Sequence, residues 1–287
     1  AGRLPRVLLR GAGGRPAGLV GRADLQPGVG VPRRHELTPS DRDLRVRAIL
    51  TFHSVDESGS VLSIAPSDLR SLVASIRASG HRVVPLRELL AHPGEPDRIA
   101  LTFDDGMASL REHALPVLGE LEAPATVFLT TGRLGTDNHW PGTPDDIPRM
   151  AMLDWAGARA LHDAGWSVEA HTVSHPDLRA LPDAEIEREL EDCDGAIERE
   201  LGERPEVFAY PYGYFDERVV THAAARYRFA VTADMGTLPG RLDDPMRVPR
   251  LETFYFRSPR IHRRFGGPAF RGYLALRAGL RRLRHVA

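Results

Sequence analysis

Two short segments hold residues able to do chemistry together: Asp104-Asp105 and His171-x-x-x-His175. The aspartates end the apolar run Ile99-Ala100-Leu101-Thr102-Phe103 and are followed by Gly106. The histidines begin where a second strand-like run, Ser167-Val168-Glu169-Ala170, stops. Two imidazoles and one carboxylate are a usual ligand set for a catalytic ion of the zinc type, which keeps one coordination position open for water. One carboxylate is left over, and beside such an ion it could serve hydrolysis as a general base. Taken singly, Asp-Asp-Gly reads as a turn and His-x-x-x-His as a surface coincidence. Their conjunction at the ends of two apolar runs favours the chemical reading.

A third segment, Phe208-Ala209-Tyr210-Pro211-Tyr212-Gly213, closes another short apolar stretch. By itself it reads as a strand followed by a Pro/Gly turn. Together, Thr102-Phe103-Asp104-Asp105-Gly106, His171-Thr172-Val173-Ser174-His175 and Tyr210-Pro211-Tyr212-Gly213 resemble the polysaccharide deacetylase family, whose homology domain is shared with chitin, peptidoglycan and nodulation-factor deacetylases. The motifs stand in the family's order, and the resemblance covers roughly residues 45–256. It implies a general base at Asp104, metal ligands at Asp105, His171 and His175, and the backbone N–H of Tyr212 in an oxyanion hole. Zinc is the default divalent ion, although cobalt, nickel or iron suits the same N/O donors. The implied reaction is removal of N-acetyl groups from a bacterial surface glycan or its lipid-linked precursor.

The chain departs from that pattern in two places. Many members carry a late Leu-x-His motif that supplies a general acid, whereas Val248-Pro249-Arg250-Leu251-Glu252-Thr253-Phe254 has no histidine. Ala209 stands where the usual Arg-x-Pro-Tyr motif begins with arginine. Both changes resemble a branch found in exopolysaccharide loci, which has a Tyr-His or similar pair on its first strand. Phe52-His53-Ser54 fits, making His53 the candidate catalytic or substrate-contacting imidazole. A capped histidine satisfied by a nearby carbonyl is the alternative. Arg250 could grip the base carboxylate bidentately in place of the missing arginine, or pair with Glu252 at the surface.

Such groups need a scaffold that gathers strand ends. Strands are expected at 46–52, 82–85, 99–103, 126–130, 167–170, 207–210, 229–232 and 247–248. Between them, apolar spacing predicts helices over 67–79, 107–121 (with Pro116 bending or shortening it), 153–164 and 183–201. The alternation argues for a parallel α/β architecture, and the family resemblance implies a distorted, incomplete (β/α) barrel with about seven parallel strands. In such barrels catalytic groups gather at the C-terminal ends of strands, which is where His53, Asp104, His171 and Pro211 fall. The loop 132–150, with His139, Trp140, Asp145 and Asp146, would form a wall of a substrate groove. Trp140 would stack on a sugar ring or pack within the loop.

Composition agrees with one catalytic domain, expected over 45–256. The 287 residues are 42% hydrophobic and carry a formal net charge of -1, so no basic excess points to nucleic acid. The lone Cys193 excludes an internal disulfide and is read as an inert packing residue. Residues 1–44, rich in Gly, Pro and Arg, read as an extended or poorly ordered arm without the pattern of a signal peptide. The tail 257–287 has nine arginines and no acidic residue, with Tyr273, Leu276, Leu280 and Leu283 at helical spacing. It is expected either to dock on the barrel or to lie as a basic amphipathic helix on an anionic membrane. Two other function classes remain: a same-fold hydrolase of a cyclic amide, and a catalytically silent glycan-binding module.

Overall fold

The computed structural model of the protein describes residues 46–141, 143 and 147–285, with side chains to residue 280. The arm expected over 1–44 and the loop residues Asp145 and Asp146 lie outside the described residues. In chain order the strands are β1 (Ala48–Phe52), β2 (Ser54–Val55), β3 (Ser63–Ile64), β4 (Arg82–Val83), β5 (Arg98–Phe103), β6 (Thr126–Leu129), β7 (Ser167–Ala170), β8 (Val207–Ala209), β9 (Phe229–Met235) and β10 (Val248–Glu252). The α-helices are α1 (Pro66–Ala78), α2 (Leu86–Ala91), α3 (Leu115–Glu120), α4 (Trp155–Asp163), α5 (Asp183–Leu201), α6 (Glu217–Ala224), α7 (Pro259–His262) and α8 (Pro268–His285).

Seven parallel strands form the ring β1-β10-β9-β8-β7-β6-β5, closed because β1 pairs with both β10 and β5. A complete (β/α) barrel has eight, so the seven-strand expectation holds. Outside the ring, β4 pairs with the first half of β5, below the point where β6 joins at Thr102. The ring is uneven: β7 and β8 are in register at one pair, Ala170 with Phe208, and β9 against β10 slips between Val248 and Arg250.

Side-chain alternation divides the core. Ile49, Ala100, Phe128, Val207, Ala209, Val231 and Val248 form one apolar cluster with Leu86, Leu89 and Leu90 of α2. Their strand neighbours, among them Leu50, Leu101, Val127 and Phe208, cluster instead with Leu69, Leu72, Leu161, Ile186, Leu190 and Ile197 of the surrounding helices. Because successive strand residues face opposite sides, the first cluster fills the lumen and the second lies between ring and helices. The short α2 therefore plugs the floor, a role its six residues do not announce.

Two local differences from expectation concern proline. The segment read as one helix over 107–121 enters through a π-helical turn, Leu110–Ala114, before α3. Pro116 occupies the first turn of α3, where a missing N–H matters least. Strand β10 runs past Pro249 to Glu252 rather than stopping at 248. The register slip at that residue accommodates its lack of an N–H. The C-terminal segment adds Phe256, Phe265, Phe270 and Leu274 to the core.

Candidate active site

The four groups singled out in sequence converge at the C-terminal mouth. Where β5 ends, the Asp104 N–H donates to the Phe52 carbonyl at 2.9 Å, continuing the pairing with β1 by one residue. Asp105 then takes φ 70° and breaks away. At the end of β7 the His171 N–H donates to the Leu129 carbonyl at 3.1 Å. Thr172 and His175 follow with φ 68° and 61°, and Tyr212 after β8 has φ 59°. Such backbone costs on the order of 1–2 kcal/mol per residue and persists where surroundings enforce it, commonly at functional sites. Gly213 is required beside Tyr212: a Cβ there would lie 2.7 Å from the Ala233 nitrogen.

Asp105, His171 and His175 form a buried cluster whose ligand atoms lie within 4.8 Å of one another. Nε2 of His171 and of His175 stand 3.4 and 3.5 Å from Asp105 Oδ1. The His171 Nδ1–H donates to the Ala209 carbonyl at 2.7 Å, which leaves its Nε2 lone pair facing Asp105. His175 is walled by Trp140 and Tyr212, both with ring centroids at 4.5 Å. Burial pushes the His175 pKa down to about 3 against the pull of Asp105, so its imidazole is neutral near pH 7. Burial opposes the charge of Asp105, but the adjacent His171, His175 and His53 hold its carboxyl well below the usual range. One carboxylate and two imidazoles whose donor atoms lie within 4.8 Å of one another fit a divalent cation.

Asp104 has a different environment. Arg250, from β10, holds it with two parallel hydrogen bonds, Nη1 to Oδ1 and Nη2 to Oδ2, each 2.7 Å. The guanidinium is itself fixed by Nε donating to the Thr232 carbonyl at 3.0 Å. Burial raises the carboxyl, yet the Arg250 charge and hydrogen bonds outweigh it and keep Asp104 below its ordinary value. Of the two readings of Arg250, the pairing with the aspartate is the one found. Glu252 instead accepts from the Phe254 N–H.

His53 lies just beyond β1 and lines the same cavity of about 300 Å³ as Asp104, Asp105, His171, His175, Tyr212 and Arg250. Burial would lower its pKa, but the carboxylates of Asp105, Glu252 and Asp104 raise it above the ordinary imidazole value. The turn around Tyr212 is tied by Gly213 N–H to the Tyr210 carbonyl and Tyr214 N–H to the Pro211 carbonyl, neither using the Tyr212 amide. Trp140 also lines the cavity, and its Nε1–H donates to the Tyr212 hydroxyl at 2.9 Å. It packs within the wall rather than standing free. His139 is exposed and outside the cavity, and the buried Cys193 thiol is pushed up to about 12 by burial, as an inert packing residue would be.

One residue at this site escaped the sequence reading. Glu189 on α5 accepts the Val173 and Ser174 N–H groups on Oε2, both at 2.9 Å, and the Ser174 hydroxyl on Oε1 at 2.6 Å. It therefore grips the loop between the two histidines. The only signal was a polar position on the α5 face next to Leu190, which no spacing rule connects to a loop 15 residues earlier.

The chain is 23% identical over 185 residues to the poly-beta-1,6-N-acetyl-D-glucosamine N-deacetylase of Staphylococcus aureus, covering 59% of this chain and 61% of that one. It spans less than two thirds of the length of the curated relatives it matches, 64% and 61%. Among solved structures, IcaB from Ammonifex degensii superimposes with a TM-score of 0.66 at 23% identity, over 79% of this chain and 97% of that chain. The Streptococcus pyogenes deacetylase PplD gives 0.64 at 22% identity, over 75% and 95%. These likenesses share the barrel fold. Residues 91–230, spanning β5 to the start of β9 and including Asp104-Asp105 and His171-x-x-x-His175, match the family model for polysaccharide deacetylase, and the chain carries a domain of that family.

Proposed function

We propose that the protein is a metal-dependent hydrolase that removes N-acetyl groups from a bacterial surface glycan or its lipid-linked precursor. What supports this most is one juxtaposition: a three-ligand cluster and a separately held, ionised carboxylate line the same cavity. The Staphylococcus aureus relative is named for an N-acetylglucosamine polymer, which supports an N-acetylhexosamine substrate. Asp105, His171 and His175 would hold the ion, with zinc the expected occupant. Bound there, it supplies Lewis acidity toward water and the acetamide carbonyl.

The chain's own groups do the rest. Asp104 accepts a proton from the attacking water, since each of its oxygens keeps a lone pair beyond its bond to Arg250. The Tyr212 N–H donates to the oxyanion that forms on the acetamide carbon. His53, raised in pKa by neighbouring carboxylates, gives a proton to the amine nitrogen as the C–N bond breaks, and acetate leaves. A poor leaving group needs that proton, a contribution of roughly a hundredfold or more.

The same reading includes peripheral contact with an anionic membrane through α8. Phe270 and Leu274 are buried, while Leu276 and Leu280 are exposed on a segment whose flanking charges are arginines. No described helix is long and apolar enough to cross a membrane.

The test is acetate release from N-acetylglucosamine oligomers before chelation, after it, and after zinc is restored. Release should collapse on chelation and recover with zinc, and His53→Ala should lose about a hundredfold while keeping the ion. Turnover of small cyclic amides without acetate release would overturn the substrate class. Full activity in the chelated protein would overturn the metal.

A further inference from the structure

The loop between the two histidines is not self-supporting. Thr172 and His175 both have positive φ, and neither is glycine. The Thr172 hydroxyl accepts the His175 N–H at 3.0 Å, and the Thr172 and Val173 carbonyls accept N–H groups from Thr131 and Gly132 at 3.1 and 2.8 Å. Those bonds fix one side of the loop. The opposite side presents two successive N–H groups, of Val173 and Ser174, and the Ser174 hydroxyl, and all three are taken by the single carboxylate of Glu189. Two consecutive amides turned toward one anion fix the orientation of both peptide planes up to Ser174, and the next peptide, whose His175 N–H is held by the Thr172 hydroxyl, enters the second histidine. Glu189 is carried on α5, whose Ile186, Leu190 and Cys193 are fully buried, so its backbone is a firm anchor. The side chain does not reach the cavity, whose lining does not include it.

We infer that Glu189 is a positioning residue for the metal site: it sets the separation and pitch of the His171 and His175 imidazoles and so determines metal affinity. This rests on the metal-dependent reading above. The carboxylate acts through hydrogen-bond geometry, because it touches neither imidazole and no substrate-lining group. Glutamine should reproduce most of that geometry. Its carbonyl oxygen can accept both amides, and its NH₂ can donate to the Ser174 hydroxyl, which then serves as acceptor.

The experiment is zinc titration of the full chain, stripped of metal, against a chromophoric chelator. It compares wild type, Glu189→Ala, Glu189→Gln and the exposed α5 control Glu185→Ala, with metal-free melting curves alongside. Glu189→Ala should weaken zinc binding roughly 10- to 100-fold, the range for losing a partner that orients a ligand. Glu189→Gln should recover to within about threefold of wild type, and Glu185→Ala should match it. Melting temperatures of the metal-free proteins should stay close together, which separates ligand positioning from general loss of fold. Wild-type zinc affinity in Glu189→Ala would overturn this role alone. So would a Glu189→Gln protein as weak as the alanine variant, since charge and not geometry would then matter. A wild-type chain that takes up no zinc would overturn both this role and the functional reading beneath it.

Discussion

Two arginine–carboxylate pairs stand at opposite ends of the barrel, one buried at its mouth and one toward its floor with its arginine partly open to solvent, and the same chemistry serves both. At the mouth, Arg250 meets Asp104 with both arms of its fork, and its side chain is 4% exposed. Toward the floor, Arg87 of α2 reaches Glu169 of β7 with Nε at 2.5 Å and is shared with Glu203 and Glu206 nearer the solvent. Glu169 also accepts the N–H groups of Glu206 and Val207, at 2.8 and 2.9 Å. Burial dominates at the floor and pushes Glu169 above its usual value despite Arg87. At the mouth the arginine wins and Asp104 lies below its usual value. A dedicated, doubly bonded arginine keeps a buried carboxylate ionised. A shared one ties a plug helix to the wall.

The largest effect should come from exchanging the two carboxylates for amides. Asp104→Asn should lose 10²–10⁴-fold in turnover while binding zinc as wild type does, because an amide cannot take the proton. Glu169→Gln should leave turnover within about twofold. Acetate-release rates with parallel metal analysis decide this, and equal losses would dissolve the distinction between mouth and floor. Changing the cations should matter less. Arg250→Lys keeps a charge but loses the two-pronged grip, and turnover should fall about tenfold at unchanged ion content. Arg87→Lys should instead lower the melting temperature by about 2–4 °C with turnover intact, as expected for about 1 kcal/mol in a domain of this size.

The smallest effect is in how stability depends on pH. Glu169 binds its proton more tightly folded than unfolded, so stability falls as pH rises from its unfolded value of 4.5 through its higher folded value. Asp104 does the reverse: its contribution is complete above 3.8 and is lost as pH falls through its lower folded value. Denaturant titrations of the metal-free protein should show a flatter profile above pH 4.5 for Glu169→Gln. For Asp104→Asn they should show a flatter profile below pH 3.8. Identical profiles in the two variants would mean the pairs do not differ as described.

Most of the mouth was legible in the sequence, because metal chemistry restricts residue type and the motifs sit beside apolar runs. Asp104, Asp105, His171 and His175 came from that logic and the family resemblance, and Arg250 entered as one of two options. Choosing between them needed the fold, since Arg250 and Asp104 are 146 residues apart. The floor was not legible. A six-residue helix leaves too little periodicity to notice, and Arg87 and Glu169 are 82 residues apart with ordinary neighbours. Glu189 was hidden for another reason: an acidic residue on a helix usually meets solvent, and nothing local marks one that reaches a loop.

The closed ring also bears on how the protein behaves in company. An open sheet ends in rows of unpaired amides and carbonyls that invite strands from other chains. Among the described residues only β2, β3 and β4 stand outside the ring, each two residues long, and β4 carries the exposed Arg82 and runs into Pro85. The described residues thus offer almost no template for edge-to-edge aggregation. The vulnerable interval is before closure, when the seven strands are still separate and their apolar faces uncovered, so chain concentration during refolding should matter far more than concentration afterwards.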